Sequence, residues 1–102
     1  MNIMLCCSAG MTTSLIVLKM EKVAASKGIS ARIWAVSESV IRTEFEEADV
    51  LLLGPQVRFL LSEMEDICEE KKIPVDVIDM LNYGMCDGEA ILEQAIKLYD
   101  NK

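Results

Sequence analysis

Ile3-Met4-Leu5-Cys6-Cys7-Ser8-Ala9-Gly10-Met11-Thr12-Thr13-Ser14 is the stretch from which the fold follows. A short apolar segment ends in cysteine, a run of small residues follows, and helical periodicity begins before the run is over. Residues 2–6 read as a strand and residues 12–26 as a helix. Leu15, Leu18 and Val23, joined by Met11 and Met20, are its expected buried stripe. Gly28 stands where a left-handed C-cap belongs.

Working outward, the same alternation repeats. Residues 30–36 place Ala31, Ile33 and Ala35 between Arg32 and Trp34, the pattern of an edge strand. Ser37 or Ser39 is placed to cap a short helix reaching about residue 47. Asp49-Val-Leu-Leu-Leu53, ending in Gly54-Pro55, is a continuous apolar run suited to a central parallel strand buried on both faces. Residues 57–72 carry Leu60, Leu61, Met64, Ile67 and Cys68 at helical spacing, and Pro74 bars continuation. Residues 75–78 give a fourth strand, and Asp87 or Gly88 opens a last helix to residue 99. The order βαβαβαβα implies an α/β fold: a single four-stranded parallel open sheet with helices on both faces.

Composition sets the limits. The 102 residues make one domain, 1–102, without repeats or linkers. No apolar run approaches the roughly 20 residues of a membrane helix, and no basic segment precedes Ile3, so the expected setting is cytoplasmic. A net charge of −7 argues against a nucleic-acid surface, which needs clustered Lys and Arg. Cys6, Cys7, Cys68 and Cys86 show no CxxC spacing, and the chain has no histidine, so neither a metal site nor a Cys–His nucleophile pair is expected. No cofactor motif is present, and reduced thiols are the economical reading.

In open parallel sheets, ligands bind beyond the carboxyl ends of the strands. Three loops meet there: residues 7–13, Gly54-Pro55-Gln56, and residues 79–87. In the first, Ser8, Ala9 and Gly10 are small enough for backbone N–H groups to turn inward, and Thr12, Thr13 and Ser14 add hydroxyls and a helix cap. Such a cradle at a helix N-terminus suits a phosphate, or a sulfur that carries one. The plainer alternative is a buried strand-end cysteine followed by a capped turn. Cys6, pointing to the opposite face of the strand, belongs in the core.

The pattern C-x5-T differs from the C-x5-R-[ST] of low-molecular-weight tyrosine phosphatases, because Thr13 stands where the arginine would grip the phosphoryl oxygens. Asp79 or Asp87 is the candidate for a leaving-group acid, and Asp87 reads better as a helix cap. A thiol that accepts phosphate and passes it on fits better than a hydrolase. Gln56 and Tyr83 are candidates for contacting a partner or orienting the loop. Arg58 either faces solvent, pairs with Glu63 or Glu65, or offers charge to the phosphate. Glu44, Glu46, Glu47, Glu69 and Glu70 read as solvated helix faces, and Trp34 as packing.

Cys7-Ser-Ala-Gly-Met-Thr-Thr-Ser14, Asp49-Val-Leu-Leu-Leu-Gly-Pro-Gln56 and Val77-Ile-Asp…Tyr83-Gly…Asp87-Gly88 together resemble the enzyme IIB components of the lactose/cellobiose (diacetylchitobiose) class of sugar phosphotransferase systems. The resemblance covers nearly the whole chain and implies the low-molecular-weight tyrosine phosphatase fold. It implies that Cys7 takes a phosphoryl group from a phosphohistidine on enzyme IIA and passes it to a sugar, a β-linked disaccharide, held by the membrane component IIC. It also implies that Ser8, Ala9, Gly10, Met11, Thr12 and Thr13 form the phosphate cradle, and that the protein meets the inner face of the membrane through IIC. Two alternatives remain: a phosphatase-like hydrolase, and a non-catalytic anion-binding module.

Overall fold

Strand β1, Asn2–Cys7, settles the architecture because its side chains alternate between two cores. Ile3 and Leu5 join one apolar cluster, Met4 and Cys6 the other. The computed structural model describes residues 1–8 and 11–101, with side chains throughout except at Met11 and Thr12. The chain then forms α1 (Met11–Ser26), β2 (Arg32–Ser37), α2 (Ile41–Glu44), β3 (Val50–Leu53), α3 (Leu61–Glu69), β4 (Val75–Val77), α4 (Met80–Gly84) and α5 (Gly88–Asp100). All strands are parallel, in the order β2-β1-β3-β4.

That order makes the molecule doubly wound. The chain leaves β1 for β2 on one side, then returns to β3 on the other, so β1 lies at the topological switch point. Ile3 is in register with Ile33 of β2 and Val50 of β3. Residues of α1 and α5, with Ile16, Met20, Ile91 and Leu92, cover one face. Ile41, Phe45, Met64 and Cys68, from α2, the 3-10 turn after it and α3, cover the other. Val50–Leu53 is buried on both faces, as its uninterrupted apolar run requires.

The α1 stripe differs from the expected one. Leu15 and Leu18 are 44% and 54% exposed, whereas Thr13, Ile16, Met20 and Ala24 are buried and Val17 and Val23 pack partly against them. The helix is apolar over much of its girth, so two stripes of the same spacing compete. One residue's step turns the face by about 100°. Contact with α5 selects the face: a β-carbon on Gly88 would stand 2.7 Å from Cβ of Lys19 and 2.9 Å from the backbone N of Met20. Only glycine lets the start of α5 lie that close to α1.

Other expectations shift at the ends of elements. Gly28 does adopt the left-handed conformation, with φ +70°. Neither Ser37 nor Ser39 caps α2; their hydroxyls bond to each other at 2.8 Å, and Val40 occupies the cap position. The third helix opens as a 3-10 segment, Pro55–Leu60, in which Val57 takes non-helical angles (φ −116°, ψ 24°), and α-helical geometry begins only at Leu61. Chain 79–87, expected as loop, contains α4. Asp87 caps α5 by accepting from the N–H of Ala90 at 3.1 Å.

Candidate functional site: a cysteine at the switch point

Cys7 ends β1 on the α1 side, next in the alternation after Ile3 and Leu5. Its Sγ is hydrogen-bonded to the hydroxyl of Thr13, in the first turn of α1. Both residues are 4% exposed. With α1 beginning at Met11, Thr12, Thr13 and Ser14 lie within the first turn and none precedes the helix as its cap. Ser8 is exposed at the end of the strand. Ala9, Gly10 and the side chains of Met11 and Thr12, expected in the cradle, lie outside the described residues. No acidic residue occupies the first turn of α1, so the positive end of the helix dipole is left for an incoming anion.

Gly54, at the end of β3, forms the neighbouring wall. Its N–H donates to the carbonyl of Cys6 at 2.7 Å. A β-carbon there would lie 3.1 Å from Cβ of Cys7 and 3.0 Å from Oε1 of Gln56. The bare glycine therefore keeps space beside the cysteine, and the exposed Gln56 folds its amide back over it. The third wall is Tyr83 of α4, 8% exposed, whose hydroxyl stands 3.3 Å from Oγ1 of Thr13. Asp79 fixes that helix by accepting from the N–H groups of Leu81 and Asn82 at 3.0 and 3.1 Å. Three segments that are far apart in the chain thus converge on one sulfur.

An open groove of about 630 Å³ adjoins the site, lined by Pro55, Gln56, Arg58, Phe59, Met80 and Tyr83 among others. Its rim is apolar: Phe59 and Met80 are 68% and 63% exposed. Arg58 faces solvent there and makes no ion pair among the described residues. Glu63, its expected partner, is held instead by the Arg42 guanidinium through two bonds of 2.5 and 2.8 Å, which lowers the carboxyl's pKa and raises the guanidinium's.

The adjacent Cys6 is a different kind of thiol. It is fully buried among Met4, Ile41, Leu53 and Val57. Burial pushes its pKa from the ordinary 9.0 up to about 12, helped by the neighbouring Cys7 and by Glu38, against a small opposing effect of Arg42. Such a thiol stays protonated and unreactive. Asp79 and Asp87 both spend carboxylate oxygens on helix caps. Of the expected site residues, Cys7, Thr13 and Tyr83 are brought into one hydrogen-bonded chain, and Gln56 stands beside it. Gly54 was placed in a loop at this edge by its sequence, but not as the wall beside Cys7. Its signal was a glycine at the carboxyl end of a fully buried strand.

Fold and site together define a class: small, doubly wound α/β proteins that present one cysteine at the carboxyl end of the first strand, beside a helix N-terminus. The family described as PTS system, Lactose/Cellobiose specific IIB subunit, matches residues 2–94, and the chain belongs to that family. It is 46% identical over 101 residues to the oligo-beta-mannoside-specific EIIB component of the PTS of Bacillus subtilis (strain 168), covering 99% of this chain and 98% of the relative. The solution structure of a cellobiose-specific phosphotransferase IIB component from Borrelia burgdorferi superposes with a TM-score of 0.82 at 43% identity, covering 100% of this chain and 94% of that one. The lactose-specific IIB component domain from Streptococcus pneumoniae shares the fold, with a TM-score of 0.87 over 97% of both chains, at 16% identity. The protein is thus a IIB component of the lactose/cellobiose type in a sugar phosphotransferase system, with the fold its sequence led one to expect.

Proposed function

We propose that the protein is a cysteine phosphocarrier. The thiolate of Cys7 attacks the phosphorus of a phosphohistidine on enzyme IIA, the P–N bond breaks, and the imidazole leaves. A hydroxyl of a sugar held by the membrane component IIC then attacks the same phosphorus. The S–P bond breaks, the thiolate is regenerated, and the hydroxyl proton passes to solvent. The observation that carries this reading is the placement of Cys7 at the switch point, bonded to Thr13 in the first turn of α1 with Gly54 leaving room beside it. Ser8, Ala9, Gly10, Met11, Thr12 and Thr13 are the residues assigned to the phosphate cradle.

The chemistry favours a carrier. Hydrogen bonds to a charged phosphoryl group contribute about 1.5–3 kcal/mol each, and a helix N-terminus about 0.3–1 kcal/mol. These stabilise a thiophosphate without the guanidinium that would also stabilise the transition state for its hydrolysis. Asp79 and Asp87, the two acids considered for a leaving group, are both engaged as helix caps. The named relatives handle oligo-β-mannosides and cellobiose, which supports a β-linked disaccharide as the acceptor. Among the described residues no helix is long and apolar enough to cross a membrane, so the reading places this chain in the cytoplasm, meeting the membrane through IIC.

Intact-mass spectrometry at neutral pH tests the proposal. The protein is mixed with phosphoenolpyruvate, the general phosphotransferase proteins and a cognate IIA, as wild type, Cys7→Ser and Cys6→Ser. Wild type and Cys6→Ser are expected to gain one phosphoryl group, and Cys7→Ser none. A gain that depends on Cys6, or that persists in Cys7→Ser, would overturn it.

A further inference from the structure

The hydrogen-bond chain from Cys7 continues past Thr13. Oγ1 of Thr13 contacts the sulfur on one side and stands 3.3 Å from the Tyr83 hydroxyl on the other, with all three residues buried. A threonine hydroxyl has one proton to give and lone pairs with which to accept. That single proton goes either to Tyr83 or to Cys7. A phenol hydroxyl is a better donor than an alcohol hydroxyl, and buried tyrosine hydroxyls need a partner. When Tyr83 donates to Thr13, the threonine proton is left directed at the sulfur. That arrangement favours a sulfur bearing negative charge, as nucleophile and again as leaving group. In the reverse arrangement Cys7 donates to Thr13, which favours the neutral thiol.

We propose that Tyr83 is a positioning residue for Cys7: by donating to Thr13 it keeps the threonine O–H directed at the sulfur, a neutral substitute for a cationic side chain in the loop. The inference rests on Cys7 being the reacting atom of the proposed carrier. The phenol is held to do this. Tyr83 sits in α4, its N–H bonds to the carbonyl of Asp79 at 2.9 Å, and Asp79 in turn caps the helix. Linked hydroxyls also polarise one another, so the effect on the sulfur exceeds that of an isolated threonine.

Alkylation of Cys7 by iodoacetamide at neutral pH, assigned by fragmentation mass spectrometry, reads the relay without any phosphoryl partner. The high pKa of Cys6 keeps it from competing. Tyr83→Phe is expected to react about five-fold more slowly, the equivalent of roughly 1 kcal/mol for one hydrogen bond. Thr13→Val should lose at least as much, and Thr13→Ser should restore the rate. The double variant Tyr83→Phe/Thr13→Val should be no slower than Thr13→Val, because Tyr83 acts only through Thr13. Replacing Tyr83 with 3-fluorotyrosine, the same shape with a more acidic hydroxyl, should raise the rate, and it decides the matter should the phenylalanine variant fold poorly. A wild-type rate in Tyr83→Phe, losses that multiply in the double variant, or no response to fluorination would overturn the relay. Phosphate uptake from IIA should fall in parallel in Tyr83→Phe. Failure of the wild type to take up phosphate would remove the carrier reading while leaving the alkylation result standing.

Discussion

Cys6 and Cys7 are joined by one peptide bond and have opposite fates. Cys6 points into the apolar layer under α2 and α3, and its pKa rises to about 12. Cys7 points to the α1 side, where a hydroxyl, a helix N-terminus and a bare glycine surround it. Both are buried by area, so burial alone does not distinguish them. What differs is whether the surroundings offer partners to a charged sulfur. The pleat of β1 makes that difference, and it makes it within a single residue.

Exchanging the two thiols' chemistry is the strongest way to break this comparison. Cys7→Ser should abolish phosphoryl acceptance with little loss of stability. Cys6→Ser should keep acceptance but lose about 1–3 kcal/mol in urea unfolding, because a hydroxyl there is buried without a partner. Equal losses of phosphate uptake in the two variants would show that the faces are not chemically distinct.

A smaller effect should come from Gly54. A methyl group there meets Cβ of Cys7 at 3.1 Å and must displace it. Gly54→Ala should slow phosphate uptake about ten-fold, with a stability loss of about 1–3 kcal/mol from overpacking. Stopped-flow transfer from phospho-IIA measures the first and urea unfolding the second; an unchanged transfer rate would show that the space beside the sulfur is not used.

The smallest effect concerns pH. The thiols of Cys6 and Cys68 are pushed by burial to about 12 and about 11, from 9.0 in an ordinary setting. The folded protein therefore holds these protons more tightly than the unfolded chain does. Stability from this source is fully present below pH 9 and is lost as pH rises through the range of the folded values. The urea midpoint should fall from about pH 9 to pH 11, in a range where Tyr and Lys also begin to titrate. A Cys6→Ala/Cys68→Ala variant should show a shallower fall, and an identical slope would remove the two thiols as its cause.

Much of this was legible in the residues because short strands bounded by Gly and Pro leave few alternatives. Asp49–Leu53 could be only a central strand, and Cys7 followed by small residues could end only at the sheet's carboxyl edge. The stripe of α1 was not legible, because Leu15, Leu18, Ile16 and Met20 are all apolar and periodicity alone cannot choose between them. The choice is made across the molecule, by the close approach of Gly88. Helix α4 was missed for a related reason: at five residues it is too short for periodicity, and only Asp79 before it signals a start. Tyr83 was still legible as a candidate for orienting the cysteine loop; its route to the sulfur, through the Thr13 hydroxyl, was not.

The contact between Gly88 and Lys19 has a consequence for the order in which the protein is made. Helix α1, which carries Thr13 to Cys7, is seated by α5, which is made long after it. A nascent chain therefore displays the cysteine long before it owns the surroundings that make the sulfur useful. Chains halted at residue 87 should take up no phosphate from IIA, and uptake by such a fragment at the full-length rate would refute the point. Competence as a phosphoryl acceptor then requires that α5 has been made, and a copy halted before it cannot divert phosphate from longer ones.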